Sequence, residues 1–146
     1  MKALHNLIGA IVSEFVMLEF VLSVISYDFK FTNSKMEFFA NSSTERKFKK
    51  LISQFDSSDI LKKSEYTTLL VELDNLRAER NTLVHSLILK SVSNNENFMF
   101  HDYYLSKNGI ENKSRTHNLK HLEKFLENLK SIHKDLYKLH LIQSDH

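Results

Sequence analysis

Cysteine and proline are absent from this chain, and glycine occurs only at Gly9 and Gly109. Without cysteine there are no disulfides and no thiolate metal sites, a composition compatible with a reducing compartment, and a cytoplasmic location is the expectation. Without proline, and with almost no glycine, the residues that usually break helices are missing, which favours long uninterrupted ones. A surplus of one charge is missing too. Lys and Arg number 20 against 18 Asp and Glu, a formal net charge of +2. That is far from the dense basic surface of a protein holding duplex DNA by counterion release, so nucleic acid would be met locally. The 8 histidines are many for 146 residues, and each gains charge as the pH falls toward roughly 6.5. At this length the chain, 1–146, is expected to be one domain with a full hydrophobic core.

What the sequence does contain is helical periodicity. A first helix is predicted over about residues 3–27, with Ile11, Phe15, Leu18, Leu22 and Ile25 on its core face. Its other side carries Gly9, Ser13, Met17, Phe20 and Val24, so the helix is either central or lies between its own core and a second subunit. The apolar run from Leu4 to Ile25 resembles a membrane span, but Asn6, Ser13, Glu14 and Glu19 interrupt it, and no membrane association is expected. Residues 28–43 read as an irregular link anchored by Phe29, Phe31, Phe38 and Phe39. Ser42 to Glu45 reads as a capping box opening a second helix. Phe48, Leu51, Ile52 and Phe55 form its buried face, while Arg46, Lys47, Lys49 and Lys50 stay wet.

Ser57, Ser58 and Asp59 punctuate the chain before a third helical stretch of about 64–92. After Ser91 come Asn94, Asn95 and Asn97, then an aromatic run from Phe98 to Leu105 and the pair Asn108-Gly109, a short hairpin signal. A last helix, about 116–142, would bury Leu122, Phe125, Leu126, Leu129, Ile132, Leu136 and Leu139. The expected fold is therefore all-α, a bundle of four or five helices with a small β-hairpin insertion before the last one.

The run Arg80-Asn81-Thr82-Leu83-Val84-His85 interrupts the apolar stripe of Leu69, Leu73, Leu76, Leu83 and Leu87. Arg80 takes a slot where the pattern asks for another apolar side chain, and a guanidinium cannot shed its charge, so a partner or an anion must meet it. On an ideal helix Arg80 and His85 lie roughly 140° apart, whereas Asn81 stacks on His85 and Arg77 extends that ridge by a turn.

With Arg80-Asn81-x-x-x-His85 the chain resembles the HEPN superfamily, whose signature is an Arg, a polar residue beside it, and a His four to six residues on. The all-helical core and the hairpin before a final amphipathic helix fit the same pattern. The resemblance implies a metal-independent endoribonuclease without cofactors, acting as a homodimer whose two motifs face each other, in a toxin or phage-defence role. It implies His85 as the proton-transfer group, Arg80 as the clamp on the scissile phosphate and Asn81 as its orienting neighbour. Arg77, Lys47 and Lys50 are then the candidate contacts to RNA, with an antitoxin or regulatory protein as a further partner. The branch of the family controlled by a nucleotidyltransferase carries Tyr two residues after the His; here Leu87 stands there.

Other readings of the same residues stay open. Arg80 would serve structure alone if it paired with Glu14, Glu19 or Asp74. A catalytically inactive HEPN-like module binding RNA, a nucleotide or a protein partner is the alternative function, and a purely structural or antitoxin-type helical protein the third. His117 and His121, at i and i+4 with His133 and His140 beyond them, suggest a metal site, but no cysteine or clustered carboxylate completes a ligand set, and a solvated helix face is the expectation. The basic group with Lys62 and Lys63 is equally a wet face or an RNA track. Tyr103 and Tyr104 are expected to pack on the bundle rather than stack on bases.

Overall fold

Hydrophobic side chains at helical spacing wind most of the described residues into four helices. The computed structural model describes residues 2–40, 43–85, 87–90 and 97–144. In chain order these are α1 (Lys2–Asp28), a short 3₁₀ turn (Met36–Phe39), α2 (Thr44–Asp56), α3 (Lys63–His85), β1 (Leu87–Lys90), β2 (Asn97–Ser106), β3 (Gly109–Asn118) and α4 (Leu119–Ser144). α1 packs chiefly on α4 and α2 on α3, with α3 also touching α1 and α4.

The predicted core line of α1 is fully buried, joined by Leu4. Phe48, Leu51 and Phe55 of α2 meet Tyr66, Leu70 and Leu73 of α3 in the same continuous cluster as Leu122, Phe125, Leu129, Ile132, Leu136 and Leu139 of α4. Leu126 and Ile52 pack against it half-buried. α1 is long and apolar enough to cross a membrane, yet one side of it forms this core.

α1 ends without glycine. Lys30 takes a left-handed φ of 61°, and the Phe31 and Lys30 amides donate to the Ser26 and Tyr27 carbonyls at 2.8 and 3.0 Å, a Schellman closure. The chain turns there so that Phe29 and Phe31 reach the Phe55 ring, at centroid distances of 5.6 and 5.1 Å. The link predicted as irregular is thus fastened by the aromatic residues singled out in it.

Four sequence expectations shift. The cap of α2 is Ser43, whose hydroxyl accepts from the Arg46 amide at 3.3 Å; Ser42 lies outside the described residues. Glu45 therefore falls at the second helical position and pairs with Lys49 at 2.7 Å instead of closing a box. α3 stops at His85, and Leu87, counted in its stripe, belongs to β1. The hairpin is larger than expected: β2 and β3 pair antiparallel over ten residues each, and β1 adds a third strand along β2. Its turn is Lys107-Asn108, followed by Gly109 at φ 102°, a conformation that suits glycine. β3 takes over residues assigned to the last helix, so α4 begins at Leu119, capped by the Asn118 side chain accepting from the His121 amide at 2.7 Å.

One polar chain joins three elements. His140 of α4 lies 2.7 Å through Nε2 from the Asp28 carboxylate and 3.0 Å through Nδ1 from the Tyr66 hydroxyl. A carboxylate only accepts, so Nε2–H donates to Asp28, while Nδ1 and the Tyr66 hydroxyl share the second hydrogen bond. Burial, reinforced by the Asp28 and Glu65 charges, pushes the Tyr66 phenol above its ordinary value. The unfolded chain gives up this proton near pH 10 while the folded one keeps it, so stability is full below that pH and falls as pH rises above it. The melting temperature should drop between about pH 10 and 11, more steeply than in Tyr66→Phe. Identical alkaline slopes for the two proteins would contradict this.

Candidate functional site

Arg80 lies on the penultimate turn of α3 and projects onto α1. Its guanidinium carbon sits 4.9 Å from the centroid of the Phe15 ring, and that ring is itself stacked on Phe48 of α2 at 6.2 Å. The Arg80 Nε is buried with no hydrogen-bond partner among the described residues. The carboxylates that a purely structural arginine would use are engaged elsewhere. Glu14 holds His133 Nδ1 at 2.7 Å, Glu19 accepts from the Thr44 hydroxyl at 3.2 Å, and Asp74 pairs with Arg77 at 2.7 Å. Among the described residues no carboxylate stands within ion-pair distance of Arg80.

An aromatic face attracts a cation, worth about 0.5–2 kcal/mol depending on desolvation. That is less than what full charge pairing supplies, so the arrangement retains capacity for an anion such as a phosphate oxygen. Asn81, next in the helix, is half-buried. His85 is the last residue of α3, and its side chain lies outside the described residues. The helix thus carries Arg80, Asn81 and His85 on its final turns, because it ends at His85.

The remaining RNA-contact candidates are dispersed. Arg77 is mostly buried in its pair with Asp74 and lies close enough to the start of α2 to help hold the Glu45 carboxyl below its usual range, after the larger effect of Lys49. Lys47 extends over the Phe38 and Phe39 rings at 5.7 and 5.4 Å. With Lys50, Glu37 and Gln54 it lines a cavity of about 220 Å³ beside the 3₁₀ turn. Lys63 has a structural task, donating to the Asp56 and Ser58 carbonyls at the end of α2 at 3.2 and 3.1 Å. Tyr103 and Tyr104 fall on β2, and their side chains lie outside the described residues.

The histidines do not share one helix face. His133 and His140 bind Glu14 and Asp28 on α1. His117 is buried at the end of β3, one strand residue before the cap of α4. His121, in the first turn of α4, stacks on it ring on ring, with centroids 4.7 Å apart. The acid that sequence spacing failed to supply comes from α3: Glu79 Oε1 stands 2.8 Å from His121 Nε2. Nothing local in the sequence points to Glu79, because it meets the histidines only through the packing of α3 on α4.

Compared with protein-family models, characterised proteins and solved structures, the chain matches none.

Proposed function

We propose that this chain is an endoribonuclease of HEPN type that uses no metal in its chemical step and acts as a homodimer in a toxin or phage-defence setting. The observation that carries the reading is Arg80, a cation held on the Phe15 ring at the rim of the core without a carboxylate among the described residues. An arginine kept for stability alone would have taken Glu14 or Asp74, which lie on the elements it touches or occupies.

In this reading Arg80 holds the scissile phosphate and the charge that gathers on it in the transition state. A general base takes the proton of the ribose 2′-hydroxyl, the 2′-oxygen bonds to phosphorus, and the bond to the 5′-oxygen breaks as that oxygen is protonated. His85, with a second copy across the dimer, supplies this proton transfer. Asn81 orients the imidazole or a phosphate oxygen. The products are a 2′,3′-cyclic phosphate and a 5′-hydroxyl.

The dimer is supported by the outward side of α1. Gly9, Ser13, Met17 and Phe20 are exposed, and a Cβ added at Gly9 would meet nothing within 4 Å. This apolar surface continues through a cleft of about 280 Å³ onto Tyr137 and Leu141 of α4. The apolar surface therefore extends from α1 toward α4. Leu87 leaves no tyrosine for modification by a nucleotidyltransferase, so an antitoxin or regulatory protein would restrain the activity by binding.

The test is direct. Purified protein in EDTA should cleave single-stranded RNA to cyclic-phosphate ends and leave DNA of the same sequence intact. Phe20→Glu, a change at an exposed position, should give a folded monomer that cleaves poorly. RNA left uncut but retained on a filter would transfer the reading to the inactive RNA-binding module; RNA neither cut nor bound would end both.

A further inference from the structure

A second constellation lies beside Arg80 and is independent of the nuclease reading. Glu79 of α3, His117 of β3 and His121 of α4 present one carboxylate oxygen and two imidazole nitrogens within 4.8 Å of one another. We propose that these residues form a binding site for a first-row divalent transition ion, zinc above all, which ties the end of α3 to the junction between sheet and last helix.

Donor type selects the ion. Two imidazoles and one carboxylate suit zinc and its neighbours, whereas magnesium and calcium prefer oxygen ligands and cysteine is absent from the chain. The geometry is close to what coordination needs. In a tetrahedral site with metal–ligand distances of about 2.0–2.1 Å the ligand atoms stand roughly 3.3 Å apart. The Glu79–His121 contact of 2.8 Å would open slightly, and the other separations, all within 4.8 Å, would close by side-chain rotation.

The three elements are also held in place. His117 is buried, its strand paired to β2 through Phe98, and the Asn118 cap fixes the backbone of His121. His121 is half exposed, with a side-chain accessibility of 49%, and Glu79 is less so, which gives the ion a path in. Three protein ligands leave the fourth position to water. The Glu79 charge offsets the positive end of α4, which by itself would disfavour a cation.

The experiment uses the full chain stripped with EDTA and dialysed, titrated with Zn²⁺ by calorimetry and with Co²⁺ by visible absorption. Wild type should bind one ion per chain, give the intense Co²⁺ bands of a four-coordinate site, and melt at a higher temperature with Zn²⁺. His121→Ala and Glu79→Gln, both at accessible side chains, should each weaken Zn²⁺ binding at least tenfold and lose the thermal shift. Circular dichroism of the metal-free variants should show that they remain folded, and His5→Ala on the exposed side of α1 should bind as wild type does. No binding by wild type, unchanged affinity in folded His121→Ala and Glu79→Gln, or an equal loss in His5→Ala would overturn the site. The readout is ion binding, so its failure leaves the ribonuclease reading untouched, and failure of RNA cleavage leaves the ion site untouched.

Discussion

Alanine at Arg80 is expected to lower kcat/KM on single-stranded RNA by about 10²–10³-fold, the usual cost of removing one preorganised donor to transition-state charge. His85→Ala should cost about 10²–10⁴-fold, the range for a lost general acid or base. The two readings of Arg80 differ in what happens to stability. A buried arginine that balances a buried carboxylate is worth about 3–5 kcal/mol when removed, because the acid is stranded. Here Glu14, Glu19 and Asp74 have other partners, so Arg80→Ala should lose the cation–ring contact and little else. Its urea midpoint should stay near that of the wild type while cleavage collapses. Arg80→Lys should not restore activity, since a point-like ammonium reproduces neither the planar contact on Phe15 nor a two-pronged grip on phosphate. Full cleavage by Arg80→Ala, or a collapse in its stability, would return Arg80 to the role of a structural cation.

Phe55→Ala should have the largest effect on folding, about 3–5 kcal/mol by the usual cost of truncating a buried phenylalanine. The ring is fully buried. It stacks on Tyr66 at 4.7 Å and receives Phe29 and Phe31 edge-on at 5.6 and 5.1 Å, and such pairs add about 0.5–1.5 kcal/mol each beyond burial. One side chain thus secures α2 to α3 and fastens the link that leaves α1. A domain stable by only about 5–15 kcal/mol would lose a large part of that margin. The denaturant midpoint should fall sharply, and amide exchange in α2 should accelerate first. Phe55→Leu should recover most of the midpoint, since it keeps apolar volume. A midpoint for Phe55→Ala within experimental error of wild type would show that this cluster does not hold the fold.

Sequence alone determined the helical core, because amphipathic periodicity is a local property. Ile11, Phe15, Leu18, Leu22 and Ile25 were assigned inward by spacing and are all buried, as are Phe48, Leu51 and Phe55 of α2 and the main line of α4. The second apolar face of α1 was legible for the same reason. The Arg80-Asn81-x-x-x-His85 motif needed only its own residues and the leucines around it. What spacing could not fix was decided by strand pairing and helix packing. Leu83 and Leu87 keep helical spacing, yet Leu87 pairs with His101 of β2, a partner no local pattern names. His117 looked like a helix residue until β3 claimed it opposite Phe98. The two contacts on which the proposals rest, Arg80 on Phe15 and Glu79 on His121, join elements distant in the chain. They exist only because the apolar faces of α1, α3 and α4 are buried against one another, and burial brings the polar residues on the neighbouring faces together.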